Sequence, residues 1–70
     1  MSEYNPVLAK QNFENNLSQF TAIWGENPRT VICNNITMRK FNWERNVPPE
    51  LTLTLRLDTS YPTNLITFEA

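Results

Sequence analysis

The sequence predicts an α+β domain in which one N-terminal helix packs on a three- to four-stranded antiparallel sheet. Two patterns support this fold class. Apolar residues recur at helical spacing between positions 6 and 24, and leucines alternate with polar residues between positions 51 and 58. Because 70 residues are fewer than an average domain contains, we expect residues 1–70 to form a single small domain.

The predicted helix has clear start and stop signals. Asn5 followed by Pro6 is typical of an N-cap and a first helical position, and Gly25 stands where a helix ends in the left-handed conformation. The apolar stripe between these limits is expected to face the core, with Trp24 shared between the core and an interface. Its members are Ala9, Phe13, Leu17, Phe20 and Trp24, widened by Leu8 and Ile23.

A run of β-branched residues indicates that a strand begins near Thr30. Asn34 and Asn35 interrupt this run. Because asparagine tolerates positive φ, the pair is compatible with a two-residue hairpin turn or with a bulge. Residues 30–41 are therefore predicted to form either one bent strand or a short hairpin.

The second half of the chain contains the clearest strand signal. Pro48-Pro49 excludes ladder hydrogen bonds and predicts an irregular stretch over 42–49. Over 51–58, the alternation of leucine with polar residues predicts a strand with one buried face, and this leucine face should meet the helix. Residues 65–69 are predicted to form a last strand, as an antiparallel neighbour of 51–58.

Composition argues against most enzyme chemistries. The chain has no histidine, one cysteine (Cys33) and one glycine (Gly25). The commonest proton shuttle, the usual zinc ligand sets and glycine-rich phosphate loops are therefore missing. Cys33 lies in an apolar, β-rich stretch with no histidine to activate it, which predicts a buried and inert thiol. We expect a protein that is not an enzyme, with no catalytic residues, no metal and no cofactor.

Size and composition also predict association and location. A chain of this mass buries only about 60% of the surface that its unfolded form exposes, and such domains usually need a disulfide, a metal or a partner subunit. One cysteine cannot form an internal disulfide, so we expect a homodimer or a larger complex. The sequence has no long apolar segment and no start typical of a signal peptide, which predicts a cytoplasmic protein without membrane contact.

Candidate binding residues are concentrated in the middle of the chain, where four basic residues and one acid leave a local charge of +3 in a chain of net charge -1. Tryptophan and arginine often dominate interface energetics, and rigid proline loops flank this segment. We interpret the residues as a patch that binds a larger protein, which makes the chain an accessory subunit, adaptor or inhibitor that occupies the partner's surface. The patch comprises Arg39, Lys40, Phe41, Trp43 and Arg45, with Tyr61 from the 59–64 loop.

The alternative hypothesis is a single-stranded nucleic-acid-binding protein. In it, Phe41 and Trp43 stack on bases while Arg39, Lys40 and Arg45 contact phosphates. Against both binding hypotheses stands a simpler interpretation, in which the two aromatic side chains alternate into the core and the charges are solvated.

Overall fold

The computed structural model describes residues 3–70 and has an α+β architecture with an N-terminal helix and a three-stranded mixed sheet. In chain order, the elements are α1 (Pro6–Trp24), β1 (Thr30–Cys33), α2 (Asn35–Lys40), α3 (Trp43–Asn46), β2 (Thr54–Leu57) and β3 (Thr67–Glu69). The predicted fold class is confirmed at this level. None of the helices in the described part of the chain is long and apolar enough to cross a membrane.

Helix α1 begins and ends where its capping signals predict. The Asn5 side chain accepts hydrogen bonds from the N–H groups of Val7 and Leu8, at 2.9 and 3.3 Å. Gly25 ends the helix at φ 69° and donates its N–H to the Thr21 carbonyl. The limits are therefore fixed by local chemistry that is legible in the sequence.

The predicted apolar stripe of α1 is only partly core. Ala9, Phe13 and Phe20 are buried, but Trp24 at the end of the stripe is 62% exposed and Ile23 is 75% exposed. Along the buried part, Phe13 contacts the other core aromatics, with ring centroids 5.3 Å from those of Phe41 and of Phe68.

The sheet is mixed, with strand order β2-β1-β3. Strand β1 pairs antiparallel with β3 and parallel with β2. The expectation that the last strand would lie beside 51–58 is wrong, because β1 separates them. The chain reaches the parallel position of β2 through a long connection over residues 34–53, and parallel pairing requires a crossover of this kind.

The prediction of a bent strand or hairpin over 30–41 is also wrong, because α2 follows β1 directly. The Asn34 side chain accepts the N–H of Thr37 at 2.8 Å, which makes it an N-cap. Thr37 is fully buried, and its hydroxyl accepts the N–H of Asn64 at 2.8 Å. This tertiary contact outweighs the strand propensity of the β-branched residues. Within the stretch 42–49, α3 replaces part of the predicted irregular structure.

Strand β2 is shorter and more exposed than the leucine pattern predicts. The N–H of Leu51 donates to the Pro48 carbonyl at 3.0 Å, which starts the strand later. The leucine face is covered only in part: Leu53 packs against the core cluster that includes Phe13 of α1, whereas Leu55 and Leu57 are 46% and 48% exposed. The helix packs against β3, and a helix about 10 Å wide spans only about two strands that lie about 4.8 Å apart.

The two faces of the sheet have different cover. Val31 lies in the main core cluster, and its register partners Leu55 and Phe68 share that face. Ile32 points to the opposite face, where it is 2% exposed although it lies outside the core cluster. On that face, Arg56 reaches across β1 and forms a two-pronged ion pair with Glu69 at 2.9 and 3.0 Å.

Asn64 joins the N-terminus, α1 and α2. It is 6% exposed and adopts a positive φ of 78°. Its side-chain oxygen accepts the N–H of Asn5 at 2.8 Å, and its side-chain nitrogen donates to the Glu3 carbonyl at 3.0 Å. Its own carbonyl accepts from the Asn12 amide at 2.7 Å, and its N–H donates to the Thr37 hydroxyl. One residue thus satisfies four polar groups that are distant in sequence.

We predict that Asn64→Ala lowers the free energy of unfolding by about 2–4 kcal/mol, because it removes two side-chain hydrogen bonds and because alanine tolerates positive φ less well than asparagine. Asn64→Gly loses the same hydrogen bonds but tolerates the backbone, so it should be about 1 kcal/mol less destabilising than Asn64→Ala. Urea unfolding followed by circular dichroism measures both values. Equal stability of the two variants would show that the backbone conformation of Asn64 costs nothing.

Candidate functional site

An apolar groove of about 540 Å³ lies beside the exposed end of the sheet. We call it the leucine groove. It is lined by Trp43, Glu44, Val47, Pro48, Pro49, Leu51, Leu53 and Leu55. Most of these side chains are apolar, and grooves of this size and character are typical of binding sites.

The walls of the leucine groove are held by short-range hydrogen bonds. Asn42 caps α3 by accepting the N–H of Arg45 at 3.1 Å, and Val47 ends that helix by donating to the Trp43 carbonyl at 3.0 Å. Pro48-Pro49 follows at once, and each proline has a fixed φ. The loop therefore presents its apolar side chains in a restricted conformation, which reduces the entropy lost when a ligand binds.

Trp43 connects the leucine groove to the core. Its indole N–H donates to the Met38 carbonyl at 2.8 Å. Its ring packs edge-on against Phe41, with centroids 4.7 Å apart, and more distantly against Phe13 at 6.3 Å. The indole is half-buried, so one part of the ring is anchored while the rest lines the groove.

Glu44 is the charged residue that lines the leucine groove, and it is exposed. A carboxylate beside an apolar surface favours ligands that combine apolar side chains with a basic group. The groove therefore differs in charge preference from the basic segment that the sequence singles out.

A second depression, of about 280 Å³, collects three basic side chains from three helices. We call it the basic pocket. Lys10 comes from α1, Lys40 from the end of α2 and Arg45 from α3. Tyr4, Pro6, Asn42 and Asn46 complete the lining, so no acidic residue among those described lines it. Lys10 also approaches Glu14 at 4.0 Å, an exposed contact of small energy.

The structure separates the predicted patch instead of bringing it together. Phe41 is 4% exposed and belongs to the core cluster, as the simpler interpretation expects. Trp43 lines the leucine groove, whereas Lys40 and Arg45 line the basic pocket. Arg39 is exposed on α2 and lines neither cavity.

Tyr61 lies away from both cavities. Its hydroxyl hydrogen-bonds the Thr67 hydroxyl at 2.9 Å, and its carbonyl accepts from the Asn34 side chain at 3.1 Å. Thr67 is the register partner of Ile32, on the sheet face opposite the leucine groove. Tyr61 is half-buried there and supports the 59–64 loop.

Sequence reasoning placed Trp43 in a binding patch and Pro48-Pro49 beside it, and missed five other residues of the leucine groove: Glu44, Val47, Leu51, Leu53 and Leu55. It assigned the leucines to a face covered by α1. The widths of a helix and a sheet could have indicated these residues. One helix cannot cover a whole three-stranded face, so an edge strand rich in leucine must leave some of its leucine side chains exposed.

Comparison of this chain with family models, with curated proteins and with solved structures finds no match.

Cys33 is buried at the end of β1, with 1% of its surface exposed. Burial raises the pKa of its thiol from 9.0 to about 11, because the thiolate would lose its hydration. A protonated, enclosed thiol is a poor nucleophile. Within residues 3–70 there is also no cluster of three or more acidic or cysteine side chains that could hold a metal ion.

We predict that the free energy of unfolding falls as the pH rises from 9 to about 11. In this window the unfolded thiol ionises while the folded thiol stays protonated, so the unfolded state binds fewer protons. Urea titrations at a series of pH values measure the slope, and Cys33→Ala should have a shallower one. Parallel slopes for the two proteins would contradict the assignment.

Proposed function

We propose that this protein is a small, non-enzymatic protein-binding module, an accessory subunit, adaptor or inhibitor of a larger cytoplasmic protein. The observation that carries the proposal is the leucine groove: an apolar concavity of about 540 Å³ whose walls are fixed by a helix cap and a Pro-Pro loop. In a domain with a small core, leaving this much apolar surface open is unfavourable unless a ligand covers it.

The expected occupant is an extended segment of the partner that carries apolar side chains and one lysine or arginine. Apolar side chains complement Val47, Leu51 and Leu53, and the basic group complements Glu44. Trp43 offers a large, partly anchored ring at the wall, which is the type of residue that often contributes most to binding energy.

We predict that Leu51→Glu abolishes partner capture, because it places a charge in the apolar wall of the groove. The matched control is Ile23→Glu, the same change at a 75% exposed site on α1. A tagged pull-down from the native host, with nuclease and at low and high salt, tests both variants. Support requires a protein that the wild type and Ile23→Glu retain and Leu51→Glu loses. Equal retention by all three would exclude the groove.

Binding to the groove can also be followed directly. Trp24 is 62% exposed and does not line the groove, so Trp24→Phe leaves Trp43 as the single indole reporter. Apolar peptides with one lysine should shift its emission, and peptides with glutamate in that place should bind more weakly. Glu44→Lys should reverse this preference, because it inverts the charge at the wall. An unchanged preference would show that Glu44 does not select the ligand.

The basic pocket favours a second candidate, single-stranded nucleic acid. Lys10, Lys40 and Arg45 supply three positive charges to one depression. Phe41 is buried and therefore offers no stacking face, so this candidate rests on phosphate contacts more than on bases.

For this candidate we predict that binding of a labelled oligothymidine falls with salt at a log–log slope of roughly −2, from about 0.7 per phosphate contact. Arg45→Ala should weaken binding and flatten the slope, while Arg29→Ala, at an exposed cation outside the pocket, should not. Fluorescence anisotropy across a salt series gives the slope. Absence of binding at low salt removes the nucleic-acid candidate.

A further inference from the structure

We propose that two copies of this chain pair through the free edge of β2, as antiparallel neighbours related by a two-fold axis at Leu55. Strand β2 is an outer strand of the sheet, and all four of its residues are exposed. An exposed edge that carries apolar side chains is a template for pairing with another strand.

The hydrogen bonds of β2 alternate between β1 and the free edge. The N–H groups of Thr54 and Asp58 both donate to carbonyls on the β1 side, at 2.9 Å. Successive peptide groups of a strand point to opposite sides, so the N–H and C=O groups of Leu53, Leu55 and Leu57 point away from β1. The three residues whose backbone groups face the free edge, Leu53, Leu55 and Leu57, are therefore all leucines.

The side-chain pattern around Leu55 is the same in both directions along the strand. Leu53 and Leu57 flank it at equal distances, and polar residues stand between them. A two-fold axis at Leu55 places Leu55 opposite its own copy and Leu53 opposite Leu57 of the second copy. Leu55, now 46% exposed, then packs against Leu55 of the second copy, and Leu57, now 48% exposed, packs against Leu53 of the second copy.

Charge distinguishes this register from its neighbours. An axis moved by one residue to Arg56 would place two Arg56 side chains directly opposite each other. An axis at Thr54 would oppose Asp58 to Glu50 of the second copy. It would also require the N–H of Leu51, which already donates to the Pro48 carbonyl at 3.0 Å. Like charges directly opposite are destabilising.

In the Leu55 register, the polar face contains no directly opposed like charges. Arg56 stands opposite Thr54 of the second copy, and Asp58 stands opposite Thr52. The Arg56 charge is already paired with Glu69 of its own chain at 2.9 Å. The polar face therefore tolerates the pairing that the leucine face favours.

The pairing joins two three-stranded sheets into one and places a leucine groove on each side of the axis, where Leu53 and Leu55 of each groove gain contacts with leucines of the second copy. Both grooves open on the same face, because Leu55 of each copy lines its own groove and the two leucines share that face. The dimer would present paired apolar sites, which raises the effective affinity for a partner with two matching segments.

The first test is the mass in solution. Sedimentation equilibrium over a micromolar-to-millimolar series should give twice the 8.2 kDa chain mass at the upper concentrations. Leu57→Lys, a substitution outside the groove lining, should raise the dissociation constant at least about tenfold. Ile23→Lys, at an exposed site on α1, should leave it unchanged. Circular dichroism confirms that each variant folds.

The second test reports the register. In a Cys33→Ala background, Leu55→Cys should form a disulfide-linked dimer under oxidised glutathione, because only a residue on the axis meets its own copy. Leu57→Cys is the matched control and should not cross-link, since its counterpart lies several residues away along the strand.

A wild-type mass that stays at 8.2 kDa through the highest concentration overturns the proposal. So does a dimer that Leu57→Lys leaves intact, or one in which Leu57→Cys cross-links as well as Leu55→Cys. The function proposed for the groove is judged separately. Leu51→Glu should lose the partner protein without changing the mass of the dimer, and loss of the dimer alone leaves capture of that partner to be measured on the monomer.

Discussion

The architecture depends on the buried amide of Asn64, a residue in an irregular loop held at positive φ. Its side chain satisfies the backbone of Asn5 and Glu3, while its own backbone is satisfied by Asn12 and Thr37. Thr37 and Asn64 are buried, so a polar group of either residue left without a partner would cost about 1–3 kcal/mol. The positions of α1 and α2 are thereby fixed relative to β3, which follows the loop.

Asparagine has the same role elsewhere in the fold. The chain contains ten asparagines, although asparagine has a low helix propensity. Several of their side-chain amides hydrogen-bond to backbone groups that are distant in sequence. Asn34 caps α2 with its oxygen and holds the 61–63 loop with its nitrogen. Asn16, one turn after Asn12 on α1, donates to the Ile66 carbonyl. Polar anchors of this kind fix the elements where the apolar core is too small to do so alone.

Features fixed by interactions between neighbouring residues could be predicted from the sequence, whereas features fixed by contacts between distant residues could not. The limits of α1 follow from Asn5, Pro6 and Gly25, whose effects are local. Helix α2 could not be predicted, because its N-cap at Asn34 competes with strand propensity and the outcome depends on Thr37 meeting a residue far along the chain. The parallel pairing of β2 and the composition of the leucine groove have the same origin. Both depend on the sheet edge at which the 34–53 connection places β2, and no local sequence pattern predicts that position.

The exposed leucines follow from geometry. Helix α1 packs over β3, where the asparagine anchors hold it, and Leu55 and Leu57 of β2 remain about half exposed. The leucines of β2 then serve two surfaces. Leu53 and Leu55 help to line the groove with Trp43, while the backbone of the same strand is free on its outer side. Within residues 3–70, no further helix or strand pairs with the outer side of β2. The exposed leucines at the edge of the sheet therefore follow from a single helix covering a three-stranded sheet. Binding of another chain would bury this apolar surface and remove it from water.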